Sequence, residues 1–383
     1  MSGKFRQWDK KYKMRSTKVI ISGGGTGGHI FPAIAIANAL RRMEPGCEIL
    51  FVGAVGRMEM EKVPAAGYKI VGLNISGIQR GSILKNLGLP YKLISSMLKA
   101  SKLITDFRPD VVVGVGGYAS GPMLFAASRK NVPYLIQEQN SYAGITNKRL
   151  GARASKVCVA FDGMEEFFPA EKILKTGNPV RKDVVDIYNK HFHGAELLKL
   201  DPQKKTILVT GGSLGAGTLN KSIEKHLQDF IDQDVQVIWQ TGKYYYNGII
   251  ERIGIDFHPN IRVLEFLNQM DLAYAAADVI ISRAGAGTIA ELCLIKKPVI
   301  LVPSPNVAED HQTKNAMALV KKNAALLIND RSAVDTLVKA ALDLLKNEIK
   351  CEELAENIGK MALPEADDLI AAEVMKLAGK GIN

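Results

Sequence analysis

Two Rossmann-like α/β lobes with a crevice between them are the architecture this sequence predicts. Three observations carry that expectation. At 383 residues the chain exceeds what one hydrophobic core ordinarily serves, so two domains are expected. Short apolar, β-branched runs alternate with helical patterns from end to end, which is how parallel sheets covered on both faces read. Each half also opens the same way, with a strand, a glycine-rich loop and then a helix.

In chain order, strands of the first half are expected at Lys18–Ser22, Glu48–Val52, Val111–Val115, Tyr134–Ile136 and Val157–Phe161. Those of the second half are expected at Thr206–Thr210, Val235–Gln240, Val279–Ser282 and Val299–Val302. The first strand runs into the loop Gly23–Gly28, after which Pro32 suits the first turn of a helix. The strand Thr206–Thr210 runs into Gly211–Gly217 in the same manner. Gly177-Asn178-Pro179 is a turn-rich punctuation that marks the join, giving a first domain over 17–180 and a second over 181–365. Residues 1–16 form a basic extension expected to be disordered.

Composition excludes several classes. No apolar run approaches the roughly 18 residues of a spanning helix. The basic stretch Met1–Lys18 lacks the apolar centre of a signal peptide. Cys47, Cys158, Cys293 and Cys351 lie far apart with no CxxC spacing, so they read as reduced core thiols and no structural zinc site is expected. The expected setting is cytoplasmic. Net charge is +11, and its distribution is telling. Lys62–Thr105 contains no acidic residue, yet carries Lys62, Lys69, Arg80, Lys85, Lys92, Lys99 and Lys102 among apolar residues such as Ile78, Ile83, Leu84, Leu87, Leu93, Ile94 and Leu98. That mixture suits an anionic membrane surface; the plainer alternative is a solvated helix face. No nucleic-acid-binding motif accompanies the charge, so nucleic acid is not expected as a partner.

Four loops could bring backbone N–H groups close to an anion at a helix start: Gly23–Gly28, Gly116–Gly121, Gly211–Gly217 and Gly285–Thr288. Tight strand–helix turns need glycine regardless, but four such loops point to a phosphorylated ligand. The first loop matches GxGxxG, which raises a dinucleotide enzyme. That reading needs an acid at the end of the next strand, where Val52-Gly53 stand instead, and the second half ends its corresponding strand in Trp239-Gln240. His29, directly after the first loop, is either a capping or packing histidine or a neutral base beside the crevice, kept neutral by the helix dipole. Glu291 can accept from both hydroxyls of a ribose, or be an ordinary first-turn acid. Glu309–Gln312 is a polar loop or a reader of sugar hydroxyls. Asp232-Gln233-Asp234 has the form of a metal-binding DxD but sits in a charged loop, and reads as solvated turn residues.

These motifs together resemble the MurG family. The matching segments are Gly23–Pro32, Val115–Pro122, Glu138-Gln139-Asn140, Thr146-Asn147-Lys148, Gly177–Arg181, Gly211-Gly212-Ser213, Arg283–Glu291 and His311–Asn315, collinear over nearly the whole chain. The family makes lipid II by moving N-acetylglucosamine from UDP to an undecaprenyl-diphosphate-linked muramoyl-pentapeptide. The resemblance implies a GT-B fold, with a final helix near Ala366–Leu377 (within 366–383) crossing back onto the first domain. By position it implies a donor site of Thr26, Gly27, Gly28, Asn140, Arg181, Ser213, Leu267, Ala286, Gly287, Thr288, Ile289, Ala290, Glu291 and Gln312. The loop Gly116, Gly117, Tyr118, Ser120 and Gly121 would hold the acceptor's diphosphate. Leu214 and the small run Ala284–Gly287 depart from the family's usual pattern and put fine donor contacts in doubt.

The implied reaction is an inverting attack by the C4 hydroxyl of lipid-linked N-acetylmuramic acid, with His29 as candidate base and Glu138 as fallback. No cofactor and no protein metal site is expected, although stimulation by a divalent cation is compatible with it. The expected partners are UDP-N-acetylglucosamine, lipid I and the anionic membrane, with the protein peripheral on the cytoplasmic face. A UDP-N-acetylglucosamine 2-epimerase shares the architecture and donor and is the rival reading. A non-catalytic UDP-sugar-binding module is the second rival.

Overall fold

The computed structural model describes residues 15–76 and 89–380, apart from Ser213. Residues 1–14 of the predicted extension, 77–88 of the basic segment, Ser213 and 381–383 lie outside the described residues.

Two all-parallel sheets form the frame. The first contains β1 (Lys18–Ser22), β2 (Glu48–Ala54), β3 (Lys69–Leu73), β4 (Val111–Gly114), β5 (Tyr134–Glu138), β6 (Lys156–Val159) and β7 (Ile173–Lys175). Their order is β3-β2-β1-β4-β5-β6-β7. The second contains β8 (Thr206–Thr210), β9 (Gln236–Gln240), β10 (Ile261–Leu264), β11 (Val279–Ser282), β12 (Val299–Leu301) and β13 (Leu326–Leu327), ordered β10-β9-β8-β11-β12-β13. In both, the strand order reverses beside the first strand, between β1 and β4 and between β8 and β11. A crevice opens at such a switch point, beyond the carboxyl ends of the strands. All four glycine loops follow these four strands, so each pair converges on the crevice of its own lobe.

The central strands are apolar throughout: Val111–Val113 and Ile207–Leu208 are fully buried. The four strands absent from the sequence expectation, β3, β7, β10 and β13, are the four sheet edges. Each is half-exposed along part of its length, which dilutes the apolar run that betrays a central strand.

Pro32 does not sit in the first helical turn. Thr26 is extended and its carbonyl accepts from His29 and Ile30, so the helix already begins at Gly27 and runs to Met43. Pro32 is its sixth residue and leaves the Gly28 carbonyl without its helical donor.

The helix Ala366–Leu377 packs Ile370, Ala371 and Val374 against the same core as Val19, Ile21 and Val113 of the first sheet. Arg42 fixes it with ion pairs to Asp367 (2.7 Å) and Asp368 (2.6 Å). Both crossings between lobes run side by side. Gly177 has a positive φ of 87°, and a Cβ there would lie 2.6 Å from Cβ of Leu363 on the returning segment. Only glycine allows that approach.

Cys47, Cys158 and Cys293 are buried and unpaired, and Cys351 is partly buried. Burial pushes the Cys158 and Cys293 thiols up to about 12.

Candidate active site

The first lobe's two glycine turns are built against each other. Gly23 donates to the Val52 carbonyl (3.2 Å) and Gly24 to the Gly116 carbonyl (3.2 Å). Gly117, at φ 83°, approaches so closely that a Cβ would sit 2.2 Å from the Gly24 oxygen. Behind the turn is Glu59, which the sequence reading passed over because it falls in an unremarked surface-like helix, Glu59–Ala65. Its carboxylate is buried and accepts from Gly25 N–H (2.8 Å) and Ala54 N–H (2.9 Å).

His29 stands in the first turn of the helix Gly27–Met43. Its Nδ1 lies 3.1 Å from the Gly24 carbonyl and 3.2 Å from Thr26 Oγ1. A carbonyl can only accept, so Nδ1 carries the proton and the lone pair is on Nε2. The ring's pKa is lowered, first because enclosure by protein strips hydration from the charged form. Glu138, the Gly24 carbonyl and Glu59 pull it up, and His311 adds a small downward push. The neutral ring follows chiefly from burial, where the sequence reading had credited the helix dipole.

Glu138, the fallback base, is fully engaged. Buried at the end of β5, it accepts from Asn140 N–H (3.1 Å), Asn140 Nδ2 (3.3 Å), Gly144 N–H (3.1 Å) and Asn147 Nδ2 (2.8 Å). With four donors on two oxygens it is built as an anchor for the segment carrying Asn140 rather than as an open proton acceptor.

That segment reaches the second lobe. Asn315 Oδ1 accepts from Ser141 N–H (2.9 Å) and Oγ (3.0 Å), while its Nδ2 donates to Asn140 Oδ1 (3.2 Å). Asn178 Nδ2 donates to the Gln139 carbonyl (2.9 Å) and to the Ala286 carbonyl (3.3 Å). These two asparagines bring the Asn140 loop against the helix Ala286–Ile295. The sequence reading quoted both as motif matches without giving them a role.

In the second lobe, amides and one ion pair brace the turns. Gln240 Nε2 donates to the Gly212 carbonyl (3.0 Å) beside Ser213. Gln312 Oε1 accepts from Ala284 N–H (3.2 Å) and Ser304 N–H (2.8 Å), which leaves its amide NH2 as the end available to a ligand. Arg283 pairs with Asp330 and donates to the carbonyls of Val302 and Pro303. Gly287 and Thr288 lie in the helix's first turn.

Glu291 occupies the second turn of that helix; the first turn contains no acid, which removes the dipole-complementing alternative. Burial raises its pKa, opposed by the Tyr274 hydroxyl it accepts from (3.1 Å) and by Arg181. Arg181 also lies 5.8 Å from the ring centre of Phe31 on the first lobe's helix. Arg181 thus spans from Phe31, two residues from His29, to the surroundings of Glu291.

Three donor-site candidates are placed differently from expectation. The side chain of Leu267 is buried in the core with Tyr274 and Ala284, and its neighbour Phe266 is the exposed one. Leu267 can therefore reach a ligand only through its backbone. Ile289 and Ala290 lie on the helix face opposite Glu291. With Ala286 and Cys293 they line a 720 Å³ cavity between the lobes, walled also by Tyr142, Phe161, Lys314 and Met361. Neither His29 nor Glu291 lines this cavity.

The loop 116–121 leads into the helix Ser120–Arg129. Tyr118 is exposed beneath Arg57, while Ser120 is buried with its hydroxyl lacking any partner among the described residues. Asp232, Gln233 and Asp234 are exposed, with Asp234 paired to Lys204, as a solvated turn should be. Among the described residues no group of three His, Cys, Asp or Glu side chains could hold a metal ion.

Comparison with known proteins agrees with this fold. The glycosyltransferase family 28 N-terminal domain matches residues 19–159, and the family 28 C-terminal domain matches 206–370. A relative in Parabacteroides distasonis, UDP-N-acetylglucosamine–N-acetylmuramyl-(pentapeptide) pyrophosphoryl-undecaprenol N-acetylglucosamine transferase, is 54% identical over 96% of this chain and 100% of its own. Its namesake in Bacteroides thetaiotaomicron is also 54% identical, over 95% of this chain and 98% of its own. The crystal structure of Acinetobacter baumannii MurG superposes with a TM-score of 0.75 at 28% identity, covering 94% of this chain and 99% of that one. A putative UDP-N-acetylglucosamine 2-epimerase of Listeria monocytogenes shares the fold alone, at 15% identity and a TM-score of 0.67. With two parallel-sheet lobes of GT-B form and more than half of its residues shared along nearly the full length, the chain belongs to the MurG family of N-acetylglucosaminyltransferases.

Proposed function

We propose that this protein transfers N-acetylglucosamine from UDP to the C4 hydroxyl of lipid-linked N-acetylmuramoyl-pentapeptide, converting lipid I to lipid II, with His29 as the base. The observation that carries the chemistry is the His29 ring: neutral by burial, held at Nδ1 by the Gly24 carbonyl, and free at Nε2 beside the crevice. As the acceptor oxygen attacks the anomeric carbon, its proton passes to Nε2 and the bond to the UDP oxygen breaks on the opposite face, inverting the configuration. The departing diphosphate is met by N–H groups of the Gly211–Ser213 turn and the helix start at Ala286–Thr288. Glu291 takes the ribose hydroxyls, Arg181 and the Leu267 backbone flank the uracil, and Asn140 and the Gln312 amide read the sugar. The loop 116–121 holds the acceptor's diphosphate.

The domains divide as 17–180 with the returning helix, and 181–365. The first meets the membrane. On the helix Leu89–Phe107, Tyr91, Leu93, Ile94 and Leu98 are exposed beside Lys92 and Lys102, while Lys99 turns back to donate to the Gly72 carbonyl (2.7 Å). Exposed apolar residues flanked by unopposed lysines favour an anionic lipid surface over a merely solvated face. No helix among the described residues is long and apolar enough to cross a membrane, so docking is peripheral and, with a UDP-sugar donor, on the cytoplasmic face. Nucleic acid is not a partner.

The test is UDP release with a lipid I analogue set against a soluble sugar acceptor and against donor alone. Release only with the lipid-linked acceptor is expected. Formation of the manno epimer from donor alone would instead make this an epimerase, and donor binding without turnover would make it a binding module.

A further inference from the structure

We propose that Glu59 is a positioning residue for the transfer: its carboxylate grips the Gly24–Gly25 turn from behind, and the turn in turn fixes the His29 ring with Nε2 open. The inference rests on the reading of His29 as base, and it concerns a residue that touches neither donor nor acceptor.

The contact is a built cradle. Glu59 is 1% exposed, and its two oxygens are divided between Gly25 N–H and Ala54 N–H, tying the first turn to the end of β2. The space the carboxylate occupies is the space that glycine leaves. A Cβ on Gly24 would lie 2.3 Å from both Oε1 and the carboxyl carbon, and one on Gly53 would lie 2.5 Å from Cγ. Gly24 at φ 146° and Gly25 at φ 88° hold conformations that other residues rarely adopt. The carboxylate thus fills the space beside the turn and ties it to β2 through its two hydrogen bonds. Its outward product is the Gly24 carbonyl, aimed at Nδ1 of His29. If that carbonyl rotates, nothing selects the Nδ1–H form except the Thr26 hydroxyl, which can donate as readily as accept and so permits either tautomer. No hydrogen bond to Nε2 is present among the described residues, and the ring edge lies against Gly116, where a Cβ would come within 2.8 Å of Nε2. The ring is thus boxed between the Gly24 carbonyl and Gly116, with Glu59 behind the first of these.

Glu59 also contributes charge. The titratable groups facing His29 are Glu59 from the helix Glu59–Ala65, Glu138 from the end of β5, and His311 from the helix His311–Val320. Removing the Glu59 charge leaves the other two in place and takes away one influence that favours the protonated ring.

The experiment uses Glu59→Gln in the full chain, with three readings. Single-turnover kcat should fall by about 10²-fold, as expected when a catalytic group is displaced by roughly an ångström, with the KM for UDP-N-acetylglucosamine within about twofold of wild type. The acid limb of the rate profile should move to lower pH. In ¹⁵N-histidine NMR, His29 should change from a single Nδ1–H tautomer to a mixture. An unchanged tautomer with unchanged kcat overturns the proposal, and so does a raised donor KM with kcat retained. If the amide variant does not fold, Glu59→Asp keeps the charge on a shorter arm and is read by the same tautomer and rate criteria. A normal kcat in His29→Ala would sink the base assignment, whereas the NMR reading tests the cradle independently of any activity.

Discussion

The two lobes brace their leading glycine turns, each at a switch point, with different side chains. In the first lobe the brace is a buried carboxylate, Glu59, with a second one, Glu138, anchoring the neighbouring Asn140 segment. In the second lobe Gln240 holds Gly212 and Gln312 holds Ala284 and Ser304, while the Arg283–Asp330 ion pair ties the second turn to the carbonyls of Val302 and Pro303. The difference follows from what each must hold. Near the turns proposed to hold the donor, the Asp330 carboxylate is paired with Arg283, whereas Glu59 has no cation partner among the described residues. The first lobe's leading turn carries a histidine, and there a nearby carboxylate offsets part of the desolvation that depresses its pKa.

That contrast can be broken by substitution. The largest expected effect is His29→Ala, which should lower kcat by about 10²–10⁴-fold with donor affinity little changed. A loss of only a few fold would remove His29 from the role. Next is Glu291→Ala, which removes a carboxylate acceptor from the ribose and should weaken UDP binding by about 10- to 100-fold in calorimetry. The wild-type site sharpens this further. Because burial raises the Glu291 pKa, donor affinity should decline on acidification before an ordinary glutamate would protonate, and a flat profile there would contradict the ribose assignment. Asn315→Ala removes the clamp between Ser141, Asn140 and the second lobe, and should cost about 1–3 kcal/mol of stability in thermal unfolding. The smallest effect is on the membrane face. Lys102→Ala should reduce partitioning onto anionic vesicles by about 1 kcal/mol, near fivefold, and leave neutral vesicles unaffected.

Much of this was legible in the residues. Central strands announce themselves because both faces are buried, so Val111–Val113 and Ile207–Leu208 read without ambiguity. The glycine loops were visible because backbone approach needs glycine at specific places. Edge strands such as Ile173–Lys175 and Ile261–Leu264 were not, since their solvent side mixes polar residues into the run. Pro32 misled in a different way: the helix starts earlier, with Thr26 at its N-cap and Gly27 as its first residue, which puts the proline in the second turn. In the site, residues following a glycine loop could be named, but Glu59, Asn178 and Asn315 act through hydrogen bonds to groups that only the fold brings close. Pattern reading has no term for that. Leu267 shows the same limit at one-residue scale, because which of Phe266 and Leu267 faces inward is decided by the packing around Tyr274.

The most direct test of the central claim is the pH dependence of the single-turnover rate at saturating donor, measured in wild type and in His29→Ala. A base must be neutral, and burial lowers the His29 pKa, so the wild-type rate should fall only when the pH drops below the ordinary imidazole value. That limb should vanish in His29→Ala, leaving a slow and flat residual rate. The same limb persisting in the alanine variant would show that another group accepts the proton, and the account of the first lobe would fail.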